Sequence, residues 1–483
     1  MLTHAHIDHS GLIPLMYVNG FRGQVYSTSA TAQLCEIMLR DSAHIQMFEA
    51  EWRNRKAARS GGKLKEFVPL YDMDAAVNVC KQFVGCEYDR VYDIAEGIKI
   101  RFTDVGHLLG SASIEVWATE KTENGDVTEK IVFSGDIGNI NKPIIKDPKH
   151  VRDADYVVME STYGNRSHGG TPNYVEDLTD IFKRTFERGG NVVIPSFAVG
   201  RTQELLYIIR KIKEDNLVGR DFDVYMDSPL AIEATNIFIK NVESCFDDDA
   251  VELVRKGINP LSFPGLKYAT TGDESKQINF DPNPKVIISS SGMCEAGRIR
   301  HHLKHNLWRP ECTIVFVGYQ AVGTTGRIIV DGAEEIKLFG EPIQIKAEIV
   351  QLKGSSGHAD KDGLLCWINA FDTKPKKVFV VHGEDSVCDE FTECLKEEYG
   401  YDAMAPYTGG SYDLIADRVI SEGVKERKTR RTTSTQRGKT VFDRLVAAGK
   451  RLMTVITHNE GGTNKDLAKF TDQINALCDK WDR

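Results

Sequence analysis

Short runs of branched and apolar residues recur along this chain and alternate with segments of helix-like spacing. The clearest runs end in Ser, Gly, Asp or His: KIVFSGDIG, DYVVMEST, NVVIPSF, DVYMDS, KVIISSS, TIVFVGY and KVFVVHGE. Runs of about four to six β-forming residues that stop at polar turn residues are typical of buried strands in an α/β fold. In such folds ligands gather at the carboxyl ends of the strands, where these polar residues lie.

Size and composition narrow the class of protein. The chain has 483 residues, 41% hydrophobic and 27% charged, which predicts two or three globular domains. No stretch approaches the roughly 18 apolar residues of a membrane span, and the start lacks a basic region followed by an apolar signal segment. We therefore expect a cytoplasmic protein with no membrane partner. The net charge of -9 argues against non-specific binding of a polyanion, so a nucleic-acid site would be local.

The ten cysteines are scattered along the chain, and none falls in a C-x-x-C pair. This spacing predicts reduced and mostly buried thiols rather than a disulfide framework or a thiolate zinc site.

The chain opens on THAHIDH, in which His4, His6, Asp8 and His9 follow the form H-x-H-x-D-H. Alternate side chains of an extended segment point the same way, so His4 and His6 can share one metal ion. Asp8 and His9, where the chain turns, can reach a neighbouring ion. Four potential ligands in six residues favour a metal site over a group of structural histidines.

Further candidate ligands stand in Gly-flanked loops or directly after apolar strands. His107 lies in DVGHLLGSAS, Asp136 in VFSGDIGN and His382 in VVHGEDS. A carboxylate can bridge two cations and hold them about 3.5–4 Å apart, the separation used for in-line attack on phosphate esters. As a set at strand ends, these residues strengthen the prediction of a metal centre.

These motifs resemble the metallo-β-lactamase superfamily and, within it, the β-CASP branch. That branch includes the endonuclease of messenger-RNA 3′-end processing and ribonuclease J. The markers of the branch are MESTYGNR with Glu160, GSSGHAD with His358 and VHGED with His382, and the resemblance covers about residues 1 to 415. It implies an α/β fold in which a metallo-β-lactamase αββα sandwich is interrupted by an α/β β-CASP cap domain.

The resemblance also implies a zinc-dependent ribonuclease with two Zn²⁺ ions as cofactors and single-stranded RNA as its partner. The implied ligands are His4, His6 and His107 for the first ion, Asp8, His9 and His382 for the second, and Asp136 as the bridge. The implied nucleophile is a metal-bound hydroxide, which Asp8 would orient. His358 would act as the general acid, with Glu160 holding it protonated and aimed.

The order of the motifs implies the domain organisation. Residues 1–165 would form the first, N-terminally incomplete part of the metallo-β-lactamase domain, 166–345 the β-CASP domain and 346–415 the second part of the first domain. Residues 416–483 are predicted to form a basic linker and a helical tail. The basic run at 425–440 is typical of a solvated linker, and electrostatic help with a nucleic acid is the alternative.

Several cap segments are expected to bind RNA phosphates, because helix N-termini, Gly-rich turns and arginines all suit anionic oxygen. The residues predicted for this role are Arg201, Ser290, Ser291, Arg298 and Arg327. His301, His302 and His305 raise the alternative of a further metal site, but a polar helix face near the substrate groove is preferred.

Two alternatives to the ribonuclease stay open. One is a metallo-β-lactamase-fold hydrolase of a small ester or thioester, and the other is a catalytically impaired RNA-binding scaffold. In the family the H-x-H-x-D-H run follows several N-terminal strands that are absent here, so the sequence is expected to begin at a truncated or mis-assigned start. The sequence also leaves the oligomeric state open, with a homodimer as one outcome.

Overall fold

The computed structural model describes residues 1–59, 66–123, 125–169, 173–352, 356–424 and 464–481, with a few further positions between 449 and 459. The chain forms two compact units, Met1–Glu422 and Gly423–Arg483. The predicted basic linker at 425–440 lies outside the described residues, and most of the tail before residue 464 does so too.

The first unit holds the sheets, and a helix occupies the end of the second unit. In the described ranges the strands are β1 (Val25–Thr28), β2 (Phe83–Cys86), β3 (Val91–Ala95), β4 (Ile98–Asp104), β5 (Ala112–Thr122), β6 (Gly125–Phe133), β7 (Tyr156–Glu160), β8 (Val192–Pro195), β9 (Asp223–Asp227), β10 (Leu266–Tyr268), β11 (Lys285–Ser289), β12 (Thr313–Phe316), β13 (Glu335–Leu338), β14 (Glu341–Gln344), β15 (Glu348–Gln351), β16 (Lys377–Val381), β17 (Ala403–Met404), β18 (Ser411–Asp413) and β19 (Arg418–Ser421). The helices there are α1 (Ile7–Ser10), α2 (Ile13–Val18), α3 (Ser29–Arg59), α4 (Met73–Cys80), α5 (Tyr174–Glu187), α6 (Arg201–Glu214), α7 (Pro229–Lys240), α8 (Val242–Cys245), α9 (Asp248–Arg255), α10 (Gly272–Phe280), α11 (Ile299–Asn306), α12 (Thr325–Val330), α13 (Lys361–Ile368), α14 (Asp385–Glu397) and α15 (Asn464–Trp481).

A seven-stranded sheet runs in the order β17-β16-β7-β6-β5-β4-β3. Strands β3 to β6 pair antiparallel, whereas β6, β7, β16 and β17 pair parallel. Val157 and Val380 are fully or almost fully buried in one cluster with Trp367 of α13 and Phe391 of α14. Burial of these large apolar side chains fixes the two helices on one face of the sheet.

A second sheet, with six parallel strands, has the order β10-β9-β11-β8-β12-β15. All of its strands come from the chain between β7 and β16, so it is an insertion into the first sheet. The chain then returns and β16 pairs with β7, with Val381 opposite Glu160. This pairing places His382, the next residue, beside Glu160 at the carboxyl edge of the first sheet.

The seven apolar runs of the sequence form β6, β7, β8, β9, β11, β12 and β16, and the predicted α/β class is confirmed. The domain boundaries stay a prediction, although β15 still pairs with β12 beyond residue 345. The helix after the SSSG run begins only at Ile299, because a turn intervenes in which the Ser291 N–H donates to the Ala296 carbonyl at 3.2 Å.

Two sequence-level expectations concern cysteines and membranes. All ten cysteines are free, and most are buried, as the spacing predicts. Among the helices that can be described, none has both the length and the apolar character to cross a membrane.

Asp104, at the end of β4, is a buried acid close to the loop that carries His107. Its side chain accepts a hydrogen bond from the Gly106 N–H at 3.0 Å, and it is only 5% exposed. Burial raises the pKa of Asp104 to about 7, although the hydrogen bond from Gly106 acts to lower it. The charged carboxylate therefore opposes folding at neutral pH.

We predict that Asp104→Asn stabilises the protein increasingly as the pH rises. The folded state binds more protons than the unfolded state between about pH 3.9 and 7, so wild-type stability falls across that window. Between pH 5 and 7 the advantage of the variant in free energy of unfolding should grow by about 2–3 kcal/mol. Denaturant unfolding at each pH measures this, with the exposed Asp126→Asn as the control. A difference that stays constant with pH would contradict the assignment.

Candidate metal centre and active site

The opening run lies in an extended segment followed by a short helix. The Leu2 N–H donates to the Tyr26 carbonyl and the Ala112 N–H donates to the Thr3 carbonyl, both at 2.9 Å, so the segment is held between β1 and the start of β5. Helix α1 then begins at Ile7 and carries Asp8 and His9 in its first turn. His4 and His6 therefore belong to the extended part, whereas Asp8 and His9 belong to the helix.

A first group of ligand-type atoms comes from three histidines and one aspartate. His6 Nδ1 lies 3.1 Å from both His4 Nε2 and His107 Nε2. Asp136 Oδ2 lies 3.3 Å from His4 Nε2 and 3.5 Å from His107 Nε2. Ligands about 2.0–2.1 Å from a tetrahedral ion are about 3.3 Å apart, so these separations fit one zinc-sized ion.

A second group adjoins the first. His9 Nε2 lies 3.1 Å from His382 Nε2, and Asp8 Oδ2 lies 3.6 Å from His382 Nε2 and 3.8 Å from His9 Nε2. The other carboxylate oxygen of Asp136 faces this second group, because Oδ1 lies 3.3 Å from His9 Nε2 and 3.5 Å from His382 Nδ1. One carboxylate thus faces both groups, as a bridging ligand would.

The orphaned oxygen of Asp136 supports metal binding. Asp136 is 1% exposed, and within the described ranges its Oδ1 has ring nitrogens 3.3–3.5 Å away but no hydrogen bond of good geometry. A buried carboxylate oxygen without a partner is costly unless an ion satisfies it. In each of the two groups, the ligand-type atoms all lie within 4.8 Å of one another. The residues present therefore fit metal ions at both groups.

The protonation state of the histidines in the first group also favours metal binding. Burial lowers the pKa of His6 to about 3 and that of His107 well below the ordinary value, and it lowers the pKa of His4 as well. Neutral imidazole is the form that binds metal ions, because its second nitrogen carries a free lone pair. Burial acts to raise the pKa of Asp136, but the His4 and His9 rings beside it hold it below the ordinary range.

His382 stands in a strained position at the end of β16. Its φ is +51°, in the left-handed region that non-glycine residues rarely adopt. The backbone is held there because the Ser161 N–H and the Thr162 hydroxyl both donate to the His382 carbonyl at 3.2 Å. The hydrogen bond with Asp8 raises the pKa of the His382 imidazole to about 9. Strain of this kind is typical of functional sites.

Glu160 and His358 form a pair next to the first group. His358 Nδ1 lies 3.1 and 3.2 Å from the two carboxylate oxygens of Glu160, so the ring donates to a carboxylate that is 1% exposed. The Ile137 N–H also donates to Glu160, which fixes its orientation. His358 Nε2 is 3.9 Å from Asp136 Oδ2 and therefore faces the centre. Burial acts to lower the pKa of His358, but the charge of Glu160 raises it overall.

The five residues predicted to bind phosphate all have internal partners. Those partners are Glu204 for Arg201, Ser228 for Ser290, the Ala296 carbonyl for Ser291, Asp227 and the Ala269 and Thr270 carbonyls for Arg298, and Asp331 for Arg327. The Ser290 and Ser291 hydroxyls donate within the protein, at 3.0 and 3.2 Å. Contact of these residues with RNA stays a prediction.

A cavity of about 640 Å³ lies beside the loop that follows Asp136, in the size range of small-ligand pockets. Ile137 and Gly138, which directly follow Asp136, line one side, and Arg201 and Tyr207 of α6 line the other. Of the predicted phosphate-binding residues described above, Arg201 is the one that reaches this wall.

Two residues near the site were missed by sequence reasoning. His168 Nε2 donates to the His358 carbonyl at 3.2 Å, and the His168 N–H donates to Asp360. Lys142 Nζ donates to the His107 carbonyl at 3.0 Å and pairs with Glu204. His168 could have been noticed from its place just after STYGNR, whereas nothing in the pattern around Lys142 marks it.

Family models and known proteins match this chain over much of its length. The family model of the Beta-Casp domain matches residues 202–329, and that of the Zn-dependent metallo-hydrolase RNA specificity domain matches residues 342–406. Ribonuclease TTHA0252 of Thermus thermophilus is 33% identical over 385 residues, which span 80% of this chain and 81% of that protein. The RNase J-like protein of Methanocaldococcus jannaschii is 31% identical over 388 residues, again 80% and 81% of the two chains.

A further relative is longer. The transcription termination factor FttA of Methanosarcina mazei is 32% identical over 415 residues, which span 84% of this chain but only 61% of that protein. On these matches, the chain belongs to the β-CASP RNA-nuclease branch of the metallo-β-lactamase superfamily.

Proposed function

We propose that this protein is a ribonuclease that hydrolyses phosphodiester bonds of single-stranded RNA and uses two Zn²⁺ ions. The observation that carries the proposal is the position of Asp136, whose two oxygens face two separate ligand groups beside the Glu160–His358 pair. A two-metal centre with an adjacent acid is the arrangement expected for phosphodiester hydrolysis.

The donor set supports zinc as the metal. His4, His6 and His107 would hold one ion and Asp8, His9 and His382 the other, with Asp136 between them. Imidazole nitrogens suit zinc, whereas magnesium and calcium prefer all-oxygen sites. When bound, such ions supply charge stabilisation at the phosphate and a water of lowered pKa.

Residues of the protein would then protonate the leaving oxygen and bind the RNA strand. His358 would give a proton to the departing ribose oxygen, because its ring faces the centre and its Nδ1 is fixed by Glu160. Glu160 would keep the ring charged and aimed, since it is buried and held by the Ile137 N–H. Asp8, whose side chain is 64% exposed, would orient the attacking water. Arg201 at the cavity wall would bind a phosphate of the strand.

A relative's activity supports the choice of substrate. The relative that is a third identical along most of its length is named a ribonuclease, and the second domain match is named for RNA specificity. An esterase or thioesterase would need neither the cap nor the Glu160–His358 pair. The complete ligand set argues against an impaired scaffold.

The proposal predicts metal-dependent cleavage of an end-labelled single-stranded RNA by the purified protein. Cleavage should cease on chelation and return on addition of zinc, and the product ladder reports internal or terminal cutting. A thioester offered under the same conditions should not be hydrolysed at a comparable rate. Thioester hydrolysis without RNA cleavage would overturn the proposal, and RNA binding without any cleavage would favour the scaffold.

A further inference from the structure

Two exposed aromatic rings lie at the carboxyl edge of the six-stranded sheet. Phe197, just after β8, is 47% exposed, and Tyr319, just after β12, is 51% exposed. These strands are neighbours, and Gly292 follows β11 on the other side of β8. We call Phe197, Gly292 and Tyr319 the aromatic ledge. The carboxyl edge of a parallel sheet is where ligands bind in open α/β folds, and it is here that the two rings lie, just after neighbouring strands.

The loops of the ledge are held together tightly. The Ser196 N–H donates to the Ser289 carbonyl at 3.0 Å, which joins the loops after β8 and β11. A methyl carbon placed on Gly292 would lie only 3.0 Å from Cδ2 of Phe197, so one side of that ring lies against the glycine. The Gln320 side chain, 3% exposed, donates to the Gly292 carbonyl at 3.1 Å and ties in the Tyr319 loop. Fixed rings bind with less loss of entropy than mobile ones.

The ledge also adjoins the metal centre. A methyl carbon on Gly200, three residues after Phe197, would lie 3.1 Å from Leu108, the neighbour of His107. Lys142 makes a second link, since its ammonium bonds both the His107 carbonyl and Glu204 of α6. The segment that carries Phe197 therefore leads directly into the start of α6, which contacts the loop that carries His107.

We propose that Phe197 and Tyr319 stack on unpaired bases of the RNA strand next to the scissile phosphate. This inference rests on the proposed function. Every base has an aromatic face, so stacking holds a single strand without selecting its sequence. Double-stranded RNA would not offer those faces, and the ledge would thus favour single strands. The ledge consists of flat rings backed by glycine and polar loops, which suits a nucleic-acid base. A protein partner would need a continuous apolar patch instead.

The test measures binding of the full zinc-loaded chain to two strands of equal length. One is a phosphorothioate-linked oligoadenylate that resists hydrolysis, and the other has the same backbone without bases. Phe197→Leu and Tyr319→Leu should each weaken oligoadenylate binding about 5- to 100-fold, because loss of one stacked base has that effect. Binding of the abasic strand should change less than about twofold. Phe197→Trp should bind oligoadenylate nearly as well as the wild type, since it keeps the ring.

Phe280→Leu is the matched control. Phe280 is 71% exposed at the end of α10, ahead of the amino end of β11, and therefore lies away from the ledge. Equal weakening on both strands would mean that the rings only support the loops, and it would overturn the proposal. Unchanged oligoadenylate binding in both Phe197→Leu and Tyr319→Leu would overturn it too. The aromatic ledge would then be a candidate surface for a protein partner. In either case wild-type cleavage of RNA keeps the proposed function intact, whereas a wild type that neither binds nor cleaves RNA refutes both.

Discussion

Asp136→Asn should reduce RNA cleavage by more than about 100-fold and leave fewer than two zinc ions bound per chain. Loss of partners that only support metal ligands typically costs about 10–100-fold, and Asp136 is proposed to be a ligand itself. Its two oxygens lie 3.3–3.5 Å from nitrogens of both groups, so one substitution affects both sites. Asparagine keeps the size of the side chain but removes the charge that would offset two dications.

The measurement combines kcat on RNA with metal content by atomic emission. Asp153→Asn is a suitable control, because the Asp153 side chain is 70% exposed and pairs with a lysine of the sheet. The control should retain both zinc ions and its activity. If Asp136→Asn kept two ions and near-normal cleavage, the bridging assignment would be wrong.

His358→Ala should lower kcat on RNA by about 10²–10⁴-fold while both zinc ions remain bound, because a lost general acid typically has that effect. Its ring nitrogen is 3.9 Å from Asp136 Oδ2, farther than the ligand-type contacts of the centre. The loss should be much smaller on a nitrophenyl phosphodiester, since nitrophenolate departs without a proton.

Glu160→Gln should reproduce part of that loss. It removes the carboxylate that accepts from His358 at 3.1 Å but leaves the imidazole in place. His305→Ala, at an exposed position on α11, is the control for histidine removal. An equal loss on RNA and on the nitrophenyl substrate would contradict the acid role, and a loss of zinc in His358→Ala would make it a ligand instead.

Much of the candidate centre follows from the sequence because its residues sit at strand ends or in one short run. Asp136 and His382 come directly after buried strands, and parallel or neighbouring strands bring such ends to one edge. The four ligand-type residues of the opening run share one local segment, so spacing alone groups them. The α/β class follows from the same apolar runs.

Contacts between distant segments could not be predicted in this way. Arg298 is an arginine in a segment that suggests phosphate binding. Its guanidinium, however, donates to the buried Asp227 and to two carbonyls. His302 is fully buried and bonds the same carboxylate at 2.6 Å, instead of forming part of an exposed polar face. Spacing cannot reveal an internal partner that another strand supplies. The exposure of Phe197 and Tyr319 is likewise set by tertiary packing.

The central claim is that a two-zinc centre carries out RNA hydrolysis, and titration of zinc into metal-free protein tests it most directly. Bound metal and cleavage of an end-labelled RNA would be followed in the same samples. The account predicts that activity rises with metal content and reaches its plateau at two zinc ions per chain. Full cleavage by the metal-free protein, or a plateau of binding at two ions with no cleavage, would contradict it.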